Sequence, residues 1–153
     1  ESHSERELQR GLIKQMRNFI LELGKDFLFI GEEYKLQVGN SDFYIDLLFY
    51  HTKLKCYVVI ELKNTDFEPS YIGQLNFYVK AIDEQRRGEG DNPTIGLLLC
   101  KNKDKLIAEY ALSDINKPIG ISAFHLGEAL PEVIKSNFPS VEEIEAELME
   151  LVD

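Results

Sequence analysis

Leu8, Leu12, Ile13, Met16, Phe19, Ile20 and Leu23 recur at three- and four-residue spacing through residues 5–23, and Gly24 follows. That stripe predicts an amphipathic helix stopped at a glycine. The pattern then changes. Between residues 27 and 63, aromatic and β-branched residues crowd into short runs broken by Gly31, by Gly39-Asn40 and by His51 to Lys55. Three strands are expected, near 27–37, 42–50 and 56–63. Helical spacing returns after Pro69, with Ile72, Leu75, Tyr78, Val79 and Ile82 on one face, and the glycine-rich stretch from Arg87 to Pro93 closes that helix. Residues 94–100 form an apolar fourth strand, 103–112 a short helix, 119–124 a fifth strand and 141–152 a final helix, acidic outside and apolar at Val141, Ile144, Leu148, Leu151 and Val152. The order αβββαβαβα predicts an α/β fold, a mixed central sheet flanked by helices.

A chain of 153 residues with 44% hydrophobic content suits one domain with a sizeable core. Residues 1–4 read as a tag or linker remnant and 5–153 as the domain. No run approaches the roughly eighteen apolar residues of a membrane span, so a cytoplasmic protein without a membrane partner is expected. Cys56 and Cys100 stand apart beside apolar runs and read as buried thiols rather than metal ligands. The net charge of −10 opposes contact with nucleic-acid phosphates. Much of the excess, however, lies in Glu142, Glu143, Glu145, Glu147, Glu150 and Asp153 of the final helix, read as a solvated face. Basic residues gather at Lys53 and Lys55, at Lys80, Arg86 and Arg87, and at Lys101, Lys103 and Lys105.

The chemistry concentrates where charges interrupt the second and third strands. A hairpin turn centred between Lys53 and Leu54 sets His51 opposite Cys56 and Asp46 opposite Glu61. Cross-strand partners have β-carbons about 4.5–5.5 Å apart, and like charges there repel. Burial of the flanking runs raises that penalty. A divalent cation would compensate, since Mg²⁺ is bound through one or two carboxylates while keeping several waters. Alternation along the strand puts Lys63 on the same side as Glu61. Two carboxylates for a metal and a lysine beside them suit phosphodiester hydrolysis: the metal polarises a phosphate and acidifies a water, and the amine stabilises developing charge. Gln74 and Tyr78 share a helix face that could lie over the site, with Gln74 holding a water or phosphate.

Asp46, Glu61 and Lys63 on consecutive strands, followed by a helix carrying Gln74 and Tyr78, resemble the PD-(D/E)XK nuclease superfamily. The stretches DFYIDLLFYHTKLKCYVVIELK, GQLNFYVKAIDEQ, IGLLLCKNKDK and AEYAL are similar to the YhcG-type C-terminal nuclease domain, nearly from Glu5 to the last helix. The resemblance implies a restriction-endonuclease-like αβββαβ core. It also implies metal ligation by Asp46 and Glu61, a catalytic Lys63, accessory catalytic roles for Gln74 and Tyr78, and an upstream domain absent from this chain. The first helix of the superfamily often supplies an acid, and YhcG-like sequences tend to show Leu-Glu where this chain has Leu8-Gln9, which leaves Glu7 or Glu5 as the accessory candidate.

The leading expectation is a Mg²⁺-dependent DNA endonuclease, with Mn²⁺ as a second metal and branched or recombination-intermediate DNA as the substrate the superfamily suggests. An RNA substrate and a homodimer are left open. The alternative, in another class, is a non-catalytic nucleic-acid- or protein-binding module retaining the nuclease fold, suggested by net acidity and Gln9. Plainer readings stand beside these. Tyr78 also fits the apolar stripe as a core residue, His51 and His125 suit turn or surface roles, and the Gly88/Gly90 loop opens no phosphate-cradling helix.

Overall fold

The computed structural model describes residues 3–23, 26–102, 104–113 and 119–123. They form α1 (His3–Leu23), β1 (Phe27–Val38), β2 (Ser41–His51), β3 (Cys56–Asp66), α2 (Ser70–Gln85), β4 (Ile95–Asn102), α3 (Lys105–Leu112) and β5 (Ile119–Ala123). The expected final helix and His125 lie outside the described residues.

The five strands make one sheet in the order β1-β2-β3-β4-β5. Tight turns join β1 to β2 and β2 to β3, and both pairs are antiparallel. The turns use left-handed backbone at Gly39 (φ 62°) and Lys55 (φ 54°). Helices α2 and α3 carry the chain across the sheet, so β3, β4 and β5 are parallel.

Both faces of the sheet are covered. Helix α1 buries Leu12, Ile13, Met16 and Ile20 against a layer that includes Leu47, Phe49, Ile60 and Leu62. On the opposite face Ile72, Leu75, Val79 and Ile82 of α2, with Ala108 of α3, pack over Leu48, Val59, Leu98 and Ile121. Two-sided burial explains why β4 reads as a continuous apolar run rather than an alternation. Gly96 of β4 lets α2 settle on the sheet, because a β-carbon there would lie 2.8 Å from a Val79 methyl.

Local signals set the ends. Asp104 caps α3 by accepting from the backbone N–H groups of Leu106 and Ile107. Pro69 stands at the N-cap of α2. Of the turn and surface roles expected for His51, it takes the turn role. It is fully buried, its Nδ1 accepts from the Leu54 N–H at 3.0 Å, and its ring meets Phe27 edge-on at 4.8 Å. The turn is tight enough for the imidazole to fold beneath it and satisfy a turn amide. Cys56 and Cys100 are buried thiols outside any disulfide, as expected.

Candidate active site

The β2–β3 ladder runs from His51 opposite Cys56 to Leu47 opposite Ile60, and there the pairing ends. Asp46 and Glu61 are the next two residues in that register. Side chains take over where the ladder stops: the Asp46 N–H donates to Glu61 Oε2 at 2.8 Å, and the Leu62 N–H donates to Asp46 Oδ2 at 2.8 Å. Each carboxylate thus fills a vacant backbone partnership on the other strand.

The backbone prepares this gap. Ile45 packs in the α2 layer and Leu47 in the α1 layer, so the alternation of β2 breaks at Asp46. On β1, Glu32 pairs with Leu47 and Tyr34 with Ile45, which puts Glu33 across from Asp46. Glu33 has φ 47°, a left-handed conformation that a glutamate adopts at a cost. Both strands therefore change phase at the same step.

The electrostatics follow from burial. Glu61 is only 3% exposed, and desolvation, then the charge of Asp46, pushes its carboxyl well above the ordinary range. Asp46 is raised too, chiefly by burial, with Glu33 adding to the shift and the Leu62 N–H and Lys63 opposing it. Lys63 holds its ammonium 5.1 Å from the centre of the Tyr71 ring. The Tyr71 hydroxyl is in turn fixed by Thr65 Oγ1 at 2.7 Å.

A cavity of about 400 Å³ opens here, walled by Arg6 and Gln9 of α1, by Asp46, Lys63 and Asn64 of the strands, and by Tyr71 of α2. The structure brings Asp46, Glu61 and Lys63 together. Tyr78 is buried in the α2 layer, yet its phenol is raised by burial and by the charges of Glu61 and Asp46, so it packs and backs the site at once. Gln74 is exposed on α2 and hydrogen-bonds the Tyr78 side chain. Glu7 is exposed and is not part of the cavity wall, to which α1 contributes Glu5, Arg6, Leu8 and Gln9. The three basic groups singled out in the sequence lie elsewhere or are engaged. Lys53 and Lys55 flank the opposite turn, Lys80 pairs with Glu84, and Arg86 lies between the rings of Tyr34 and Tyr57. Lys101 is exposed on β4, and Lys103 lies outside the described residues.

Sequence reasoning missed Tyr71, Glu33 and the part played by Gln9. Tyr71 carried a signal, an aromatic in the first turn of the helix that follows Lys63. Glu33 carried none, because a left-handed residue inside a strand leaves no trace in hydrophobic spacing.

The family described as the YhcG PDDEXK nuclease domain matches residues 1–139. The chain belongs to that family. It is 35% identical over 126 residues to the Escherichia coli (strain K12) protein named "Putative nuclease YhcG", a match covering 82% of this chain and 34% of that protein. The chain thus spans about a third of the length of this relative. Two solved structures share the fold. A repair endonuclease from Pyrococcus abyssi superposes with a TM-score of 0.50 at 19% identity, over 77% of this chain and 47% of that one. A complex of EndoMS with double-stranded DNA gives 0.52 at 20% identity, over 72% and 44%.

A divalent cation is the group this nuclease family implies, and the donor set fits one. Asp46 and Glu61 would hold it, each keeping one carboxylate oxygen besides the one that accepts a backbone N–H. Two neighbouring acids that both resist ionising would be relieved by a bound cation, and carboxylate oxygens are the ligands hard cations choose. Among the described residues no group of three or more His, Cys, Asp or Glu residues gathers as a metal cluster. Two protein carboxylates are the number with which Mg²⁺ is commonly bound, its remaining positions going to water and phosphate.

Proposed function

We propose that this domain hydrolyses phosphodiester bonds in DNA with Mg²⁺, or Mn²⁺ in its place, held by Asp46 and Glu61. The observation that carries the reading is the crossed pair of bonds between Asp46 and Glu61 and the facing backbones. It fixes the carboxyl of Asp46 in the wall of a cavity that Lys63 also lines, with the buried carboxyl of Glu61 bonded to the Asp46 N–H. When bound, the cation supplies Lewis-acid polarisation of the phosphate and a more acidic water.

The protein's own groups do the rest. Lys63, held over Tyr71 and free of any carboxylate ion pair among the described residues, faces the cavity as a cation for a phosphate oxygen or the attacking water. Arg6 on the opposite wall supplies a second positive charge for the strand. Tyr78, buried in the α2 layer within electrostatic reach of both carboxylates, adds to the low-dielectric surroundings of the pair. The solved neighbour in complex with double-stranded DNA supports a DNA substrate. Branched or recombination-intermediate DNA is the substrate we infer from the family resemblance.

The test is cleavage of labelled linear duplex, branched duplex and RNA of matched sequence, with Mg²⁺, with Mn²⁺ and with EDTA. Metal-dependent cutting of DNA that prefers the branched form is expected. Binding without cutting under every condition would instead establish a non-catalytic module that keeps the nuclease fold.

A further inference from the structure

Leu62 sits between Glu61 and Lys63, where the β2 ladder has already ended. Its N–H is taken by Asp46 and its carbonyl oxygen accepts from Gln9 Nε2 at 2.8 Å, a bond from the first turns of α1 across 53 positions of sequence. Both backbone groups of this one residue are thus held by side chains in place of a strand. We infer that Gln9 is a positioning residue of the site: its carboxamide fixes the Leu62 peptide, and through it the Glu61 and Lys63 side chains one residue to either side. The inference rests on the cation site proposed above and adds α1 to it.

Three observations support a dedicated role. On its β2 side the Glu61–Leu62–Lys63 segment has no ladder pairing, which ends at Ile60, and β4 pairs only its other edge, so the Leu62 backbone groups facing β2 depend on side chains. Gln9 and Leu62 both line the cavity, so without the amide the carbonyl would turn to mobile water rather than to a fixed donor. The residue type also matters. A glutamate at position 9 would set an anion against a carbonyl oxygen and add a negative charge beside two carboxylates already crowded together. A carboxamide donates without charge, which is what a carbonyl acceptor beside two carboxyl groups calls for. Amides and carboxylates that orient metal-binding groups without touching the metal typically govern affinity about 10- to 100-fold.

The test compares wild type with Gln9→Met, which keeps length and loses the donor, and with Gln9→Glu. Mn²⁺ uptake is followed by electron paramagnetic resonance, and amide hydrogen exchange at Leu62 and Lys63 by NMR of the metal-free protein. Melting temperature serves as the check on folding. In Gln9→Met, Mn²⁺ affinity should fall about 10-fold or more and Leu62 exchange should quicken, with the melting temperature little changed. Gln9→Glu should bind Mn²⁺ no better than wild type. Equal Mn²⁺ affinity and equal Leu62 exchange in wild type and Gln9→Met would overturn the inference, as would tighter binding by Gln9→Glu, which would make position 9 a ligand. If wild type takes up no Mn²⁺, the hydrolytic reading fails instead, and the exchange comparison alone decides the role of Gln9.

Discussion

The two ends of the β2–β3 pair are built from the same strands and behave oppositely. At the turn end every residue from Leu47 to His51 is paired, Phe49 is fully buried, and the neighbouring loop is tied down by Tyr50 donating to Asp91 at 2.6 Å and Asn92 donating to the Leu54 carbonyl at 2.8 Å. At the open end the ladder stops, a buried acid, Glu61, stands beside the half-buried Asp46, and a glutamate takes a left-handed backbone on the adjacent strand. The first arrangement contributes stability through pairing and packing. The second gives some of that up, since crowded carboxyls and unusual dihedrals cost free energy, and on the function proposed above it gains a place for a cation and a phosphate.

The largest expected effect separates the ends by activity. Asp46→Asn and Glu61→Gln each keep an oxygen for the facing N–H yet lose the charge, and cleavage in Mg²⁺ should drop by about 10³-fold or more. Tyr50→Phe at the turn end should leave the rate unchanged. Equal cutting by all three purified variants would erase the functional distinction.

Stability should invert the order. Phe49→Ala removes a fully buried ring and should cost about 3–5 kcal/mol in urea unfolding. Glu61→Gln, measured without metal at pH 8, should leave the protein as stable as wild type or more so. A loss comparable to that of Phe49→Ala would show the acid end to be a structural element.

The pH profile tests the same contrast more finely. Because Asp46 and Glu61 have raised pKa values in the fold, the folded state binds more protons than the unfolded chain between the ordinary carboxylate range and about 8. Metal-free stability should therefore fall as pH rises through that window, by at most about 1.4 kcal/mol per unit for each proton released. Glu61→Gln should flatten the slope, and Mg²⁺ should reverse the loss by favouring the charged forms. A flat profile in metal-free wild type would contradict the burial of the pair.

The smallest effect concerns the backbone. Glu33→Gly relieves a φ of 47° and should change stability by no more than about 1–2 kcal/mol, in the favourable direction, whereas Glu33→Val should destabilise. Thermal melts of the two variants check this.

Much of the architecture was legible along the chain. The three-and-four spacing of Leu12, Ile13, Met16 and Ile20 gave α1 its buried face, and the turn at Lys53–Leu54 gave the register that pairs His51 with Cys56 and Leu47 with Ile60. Lys63 on the Glu61 side followed from strand alternation. The break at Asp46, by contrast, is invisible to periodicity: Ile45 and Leu47 are two apolar residues two apart that nonetheless face opposite layers.

The sequence by itself determined the order of elements, the layers that cover the sheet and the two acids and one lysine that meet near the end of a hairpin, because these depend on local spacing and turn chemistry. Only the tertiary structure decided how the acids are held and by what. Hydrogen bonds from the facing backbones, the reach of Gln9 across 53 positions and the ring of Tyr71 under Lys63 join residues whose partners are set by packing in three dimensions. No periodicity along a chain records where a ladder ends and which side chain completes it.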